Sequence, residues 1–325
     1  MLRIIRSIAV CALLASLFAS GAAALELKFS HVLPVNETVH ETLQEMGREL
    51  EAKSNGYFKV NVYANGELGN NKDNIDQVRR GANIVVVADC GFLADYVPAY
   101  GSMNGPFLYN DWREIVSLGK SDWHKSMMDQ CSQRGIKVLS MDWYFGRRYV
   151  ISGKVIKSPA DMKGMKVRVP PNKVWIDTIT AMGGNPTVLQ WPEVYSALSQ
   201  GVVDAAEAPL STIYGSKLQE PKKNIANTRH FTAMTGLITS QRVYDSIPPE
   251  HQKLLNDSIA KWGIRTSELT EQREDEWRKR LEAEGVVFND VDTQAFVDAC
   301  KAVYDNPAWP KYDELRKNID ANKWW

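Results

Sequence analysis

An arginine set between two valines raises a chemical question. In MKVRVPPNKVW, residues 165–175, Val167 and Val169 read as the buried face of a short strand. Arg168 lies on the other face, where two prolines end the strand. Arg147 and Arg148 follow Gly146 at the end of another apolar run. Ligands of open α/β sheets bind in the crevice at the carboxyl ends of strands. A guanidinium there can hold a carboxylate with two parallel hydrogen bonds, which lysine cannot do. Two such arginines at adjacent strand ends would make a site for an organic anion. Periodicity alone favours a plainer account, in which each is a solvated edge residue, because arginine is mostly exposed.

Other chemistries lack their signatures. There is no Gly-x-Ser-x-Gly elbow, no Gly-rich phosphate loop ending in Lys-Ser/Thr and no His-Glu-x-x-His. The five histidines, His31, His40, His124, His230 and His251, show no ligand spacing. No catalytic residues, no metal and no cofactor are therefore expected.

The elements that must position the arginines alternate between strand and helix. LELKFSHVLP (25–34) alternates as a strand, and Val39, Leu43, Met46 and Leu50 follow at helical spacing. YFKVNVYANG is a second strand ending in an Asn-Gly turn. A short helix carries Ile75 and Val78, and NIVVVAD (83–89) is the continuous apolar run that a parallel sheet buries on both faces. The order repeats with IKVLSMDWY, YVISG, MKVRV and NPTVLQW as strands, and VVDAAEA as a candidate. Pro170 and Pro171 suit the first turn of a helix running to about Met182, and PEVYSALSQG is another helix. Two α/β units follow, with a boundary near 142–150. Residues 249–284 keep helical spacing with no proline after Pro249. They fit one long brace or two helices broken near Gly263.

The first 24 residues read as a cleaved secretory signal peptide: basic Arg3 and Arg6, an apolar run from Ile8 to Phe18, then small residues to Ala24. The run is too short to span a membrane. The whole chain balances 39 basic against 39 acidic side chains. Losing Arg3 and Arg6 leaves a slight acidic excess, which argues against a nucleic-acid partner. Cys90, Cys131 and Cys300 are far apart with no CxxC pair, as befits free buried thiols.

The run from MKVRVPPNKVW to SKLQE, with "GGNPTVLQWPEVYSALSQGVVDAAE" at its centre, resembles the extracytoplasmic solute-binding proteins of tripartite ATP-independent periplasmic (TRAP) transporters, the DctP type. "LKFSHVLP", "ANGELGNNKDNIDQVRRG", "PFLYND" and "SPADMKGMK" are similar too, in family order over almost the whole chain after residue 24.

The resemblance implies a two-lobed periplasmic-binding-protein fold with a cleft between lobes and a long bridging helix. Residues 25–145 with about 236–325 would form the first lobe, and about 146–235 the second. Arg168 matches the arginine that pairs with the ligand carboxylate, and Arg148 a second clamp, with Arg147 a bystander. Trp191 matches an aromatic beside the ligand. Glu207, Asp89 and Asn71 match polar contacts, and Phe92 and His31 lie nearby. Where relatives often read Glu-Asn-Pro, this chain has Glu207-Ala208-Pro209, which removes an amide contact. The implied function is a periplasmic receptor, not an enzyme. It would deliver a small organic acid to the small and large membrane subunits. A sugar acid such as a uronate or aldonate is favoured, with an aromatic, keto or other acid as the alternative. An exported lyase acting on acidic sugars, or a sensor, are the readings from other classes.

Overall fold

A computed structural model describes residues 24–325, so the expected signal peptide lies outside the described residues. Among the described residues eleven strands form two sheets. The first, in order β2-β1-β3-β10-β4, holds β1 (Leu25–Ser30), β2 (Phe58–Tyr63), β3 (Val85–Ala88), β4 (Ile136–Arg147) and β10 (Thr232–Ser240). The second, in order β11-β9-β5-β8-β6-β7, holds β5 (Tyr149–Ser152), β6 (Lys166–Val169), β7 (Asn185–Val188), β8 (Ala205–Ala208), β9 (Asn224–Ala226) and β11 (Val287–Asn289).

The helix-linked strands pair in parallel as their spacing requires: β1 with β2 and β3, and β6 with β7 and β8. β10 runs antiparallel between β3 and β4. The chain crosses between sheets where β4 ends at Arg147 and β5 begins at Tyr149. Gly146 stands there at φ +119°, a left-handed backbone that a side chain rarely adopts. The return crossing from β9 to β10 lies alongside, tied by Arg148 N–H donating to the Phe231 carbonyl at 2.9 Å.

Two expectations shift. The helix after Pro170-Pro171 starts at Lys173, because the Asn172 side chain caps it by accepting from Val174 N–H at 3.0 Å. The prolines stay outside as the turn. The segment 236–325 also supplies β11, which pairs with β9 in the second sheet.

Pro249–Ala283 is a single helix of 35 residues, roughly 50 Å long. Leu255 and Ile259 pack with the first sheet's core, and Trp277 and Leu281 with the second's. Gly263 does not break it. The absent side chain admits the Trp143 indole, whose Nε1 would stand 2.3 Å from a Cβ at 263. Cys90, Cys131 and Cys300 are free and buried.

Candidate functional site

Past the carboxyl ends of β1, β3 and β4 lies a cavity of about 70 Å³, reached from the second sheet's side by Trp175; Arg168, Trp191 and Glu207 do not line it. His31, Asn71, Asp89, Phe92, Arg148 and Trp175 are among the residues lining it. Each sits just past a strand end or at the start of a helix. The alternation of strand and helix thus gathers residues far apart in the chain.

Arg148 and Glu207, expected to meet a ligand separately, meet each other. Arg148 Nε donates to Glu207 Oε2, and Nη2 donates to Oε1 at 2.9 Å and to the Glu207 carbonyl at 3.1 Å. Glu207 is fully buried, and burial alone would raise its pKa. The Arg148 charge and the neighbouring His230 outweigh that and hold the carboxyl below its ordinary value. His230 Nε2 lies 3.6 Å from Glu207 Oε2, and burial keeps the imidazole pKa low. Arg148 is thus an arginine already neutralised, stacked 5.4 Å from the Trp175 ring centre.

Arg168 differs. It is 3% exposed, so it is no solvated edge residue; β6 is covered on both faces. Its Nε and Nη2 donate to the Leu189 carbonyl at 3.0 and 2.8 Å. Its guanidinium stands 5.0 Å from the Trp191 ring centre. Among the described residues it forms no ion pair. Burial presses its pKa down to about 9, with Glu207 pulling up and Arg148 adding repulsion, so it stays cationic at neutral pH. Arg147, the expected bystander, turns to the long helix and pairs with Glu271 and Glu274.

Asp89 follows β3 and accepts three hydrogen bonds on one oxygen. Gly91 N–H, Asn104 Nδ2 and Asn172 Nδ2 reach Oδ1 at 2.8, 3.0 and 3.3 Å. Burial raises its pKa to about 6 against the pull of the Gly91 N–H and Arg148. Asn71 opens the helix Asn71–Arg79 and lines the cavity half-buried. Phe92 lines it from the short helix after Asp89.

His31 also lines the cavity, but both ring nitrogens are engaged. Nδ1 accepts from Leu33 N–H at 3.2 Å, so the proton sits on Nε2, 3.0 Å from His40 Nδ1. Burial and His40 lower its pKa to about 3. It offers a ligand only its carbon edge.

Asn172 and Asn104 belong to this site and were not singled out from sequence, and Trp175 lines it as well. Asn172 carried a signal, since Pro-Pro-Asn before an apolar helix is a capping pattern. Asn104 carried none, because its partner Asp89 lies 15 positions away.

With this geometry in hand, the chain can be set beside known proteins. The family model described as bacterial extracellular solute-binding protein, family 7 (DctP), matches residues 29–309. The sialic acid-binding periplasmic protein SiaP of Vibrio cholerae is 26% identical over 303 residues, 93% of this chain and 94% of SiaP. A TRAP periplasmic solute-binding protein from Desulfovibrio salexigens, solved in complex with diglycerolphosphate, is 37% identical with TM-score 0.87, covering 92% of this chain and 97% of its own. One from Ochrobacterium anthropi, with bound L-fuconate, is 31% identical with TM-score 0.89, covering 91% of this chain and 100% of its own.

Proposed function

This chain belongs to the bacterial extracellular solute-binding proteins of family 7, the DctP family, and from that premise we propose that its cleft receives a small polyhydroxylated carboxylic acid. Arg168 meets the carboxylate. Arg148 assists through the Nη1 that Glu207 leaves free. Asp89, Asn71 and the Arg148–Glu207 pair order the hydroxyls, and Trp191 covers the carbon skeleton. The ligand is bound and released unchanged. The receptor works in the periplasm after losing its signal peptide. The halves 25–145 with about 236–325, and about 146–235, close on the acid, and the closed form is handed to the TRAP membrane subunits.

The observation that carries this reading is Arg168: a buried cation, braced by a carbonyl and an aromatic face, with no carboxylate of its own among the described residues. Burying a charge unpaired is expensive, and an arriving anion removes that expense. The relatives support an anion in general, since sialic acid, L-fuconate and diglycerolphosphate are all acids.

A second reading, a polyol phosphate monoester, is favoured by a 34% identical TRAP solute-binding protein solved with bound sn-glycerol-3-phosphate. Charge argues for the carboxylate. Glu207 cancels Arg148, and Asp89 adds negative charge when ionised, so the site suits a monoanion better than a dianion.

Isothermal titration with L-fuconate, D-glucuronate and sn-glycerol 3-phosphate tests both. We expect a sugar acid to bind tightest. Arg168→Ala should weaken it by about 3–5 kcal/mol, a few hundred- to a few thousand-fold in Kd. Unchanged affinity in that variant refutes the clamp, and phosphate preference establishes the second reading.

A further inference from the structure

Asn172 uses the two ends of one amide for two purposes. Its oxygen caps the helix Lys173–Ala181 by accepting from Val174 N–H at 3.0 Å. Its nitrogen reaches from the end of β6, in the second sheet, to Asp89 at the end of β3, in the first. The other donors to Asp89 Oδ1, Gly91 and Asn104, come from the first sheet's own side. Among the described residues Asn172 is therefore the one side chain from the second sheet that bonds this carboxylate.

The approach depends on a missing side chain. A Cβ at Gly91 would stand 2.1 Å from Asn172 Nδ2 and 2.8 Å from its Oδ1. Gly91 lies in ordinary right-handed backbone within the short helix Cys90–Leu93, so its dihedrals do not demand glycine. Space does: the amide occupies the volume a methyl would take. Trp175, one turn further along the capped helix, lines the cavity beside Arg148.

We propose that Asn172 is a positioning residue that couples closure of the cleft to capture of the ligand. Its cap belongs to one lobe and persists whether the cleft is open or shut. Its bond to Asp89 exists only when the two sheets' strand ends meet over the notch at Gly91. Closure therefore fixes the Asp89 carboxylate and brings Trp175 against the cavity in one movement. This inference rests on the anion-receptor reading above.

Two substitutions separate the roles. Asn172→Asp keeps a good cap but has no donor and sets a second carboxylate against Asp89. Gly91→Ala leaves Asn172 untouched and fills the notch. Each is compared with the unaltered chain by titration with L-fuconate and sn-glycerol 3-phosphate, by small-angle X-ray scattering with and without the acid, and by thermal unfolding without it. We expect both variants to bind at least tenfold more weakly and to lose the ligand-induced contraction. Their unliganded melting temperatures should stay close to the unaltered chain's. Affinity of Asn172→Asp should recover at pH 5, where the facing carboxylates share a proton. The other groups that face Asp89, Arg148, Glu207 and Cys90, are common to both proteins, so the unaltered chain's pH series is the control. Full affinity in both variants overturns the proposal. So does a large fall in unliganded melting temperature with binding unchanged, which would mark a permanent packing contact. Should the unaltered chain bind neither acid, the receptor reading fails on its own. The latch is then decided on the closed fraction of the unliganded unaltered chain: a closed fraction that both variants lack supports it, and one that persists unchanged in both variants overturns it.

Discussion

Arg148 and Arg168 present the same donors to the protein and differ in what receives them. Each commits Nε and Nη2, one to the Glu207 carboxylate and the other to the Leu189 carbonyl. The first pairing cancels a charge; the second only orients one. That difference was not legible in the sequence, where both were arginines at strand ends. The strand ends themselves were legible, from the valines flanking Arg168 and the apolar run ahead of Arg147. A buried carboxyl that the sequence did not flag is Glu37. It accepts a hydrogen bond from Thr212 Oγ1, in the helix Leu210–Gly215 on the second sheet's side. Burial raises its pKa from 4.5 to about 7, against the pull of Thr212, Ser211 and Arg148. The folded state therefore holds a proton that the unfolded state has released between those values. Stability from this group is full below about pH 4.5 and declines as pH rises toward 7, by roughly 3 kcal/mol in all. His31 and His230, kept neutral by burial, act in the opposite direction as pH rises, so chemical denaturation across pH 4 to 8 should show the decline as the difference between the unaltered chain and Glu37→Gln, the unaltered chain losing ground to the variant toward pH 7; a constant difference would place the titration elsewhere.

Among the elements, the long helix was the clearest from spacing and the most ambiguous at one position. Glycine at 263 could have broken it, since glycine weakens a helix by about 1 kcal/mol relative to alanine. Only the fold reveals Trp143 packed against that spot. Gly263→Ala should gain the propensity term yet lose more to the clash with the indole, with overpacking of this kind costing typically 1–3 kcal/mol. We expect a lower denaturant midpoint; a stabilised variant would show that the indole moves aside freely. β10 was missed for a related reason. TAMTGLITS has no alternation, because nearly every residue of it is buried between β3 and β4. Gly236 in its middle, which reads as a breaker, is required by the Ser140 carbonyl oxygen, 2.0 Å from where its Cβ would lie. The capped helix after Arg168 was misplaced by three residues because two prolines outweighed the asparagine behind them.

At the scale of the whole molecule, the two-unit organisation followed from the order of strands and helices, while spacing left one long brace and two helices broken near Gly263 equally open. Which strands return to which sheet did not. β10 rejoins the first sheet and β11 the second, through pairings between residues that are distant in the chain. No local pattern encodes such partners. Three thiols are distributed across this architecture, at Cys90, Cys131 and Cys300, each no more than 1% exposed. Burial pushes the pKa of Cys131 and Cys300 up to about 12 and raises that of Cys90 well above the ordinary thiol value. None can react with a disulfide reagent until the surrounding core opens. A chain trimmed to residues 25–325 should therefore give no colour with Ellman's reagent when folded and three equivalents when denatured; prompt reaction of the native protein would contradict the packing. Under native conditions the slow modification rate would then act as a clock for global unfolding, and a bound anion should make that clock run slower.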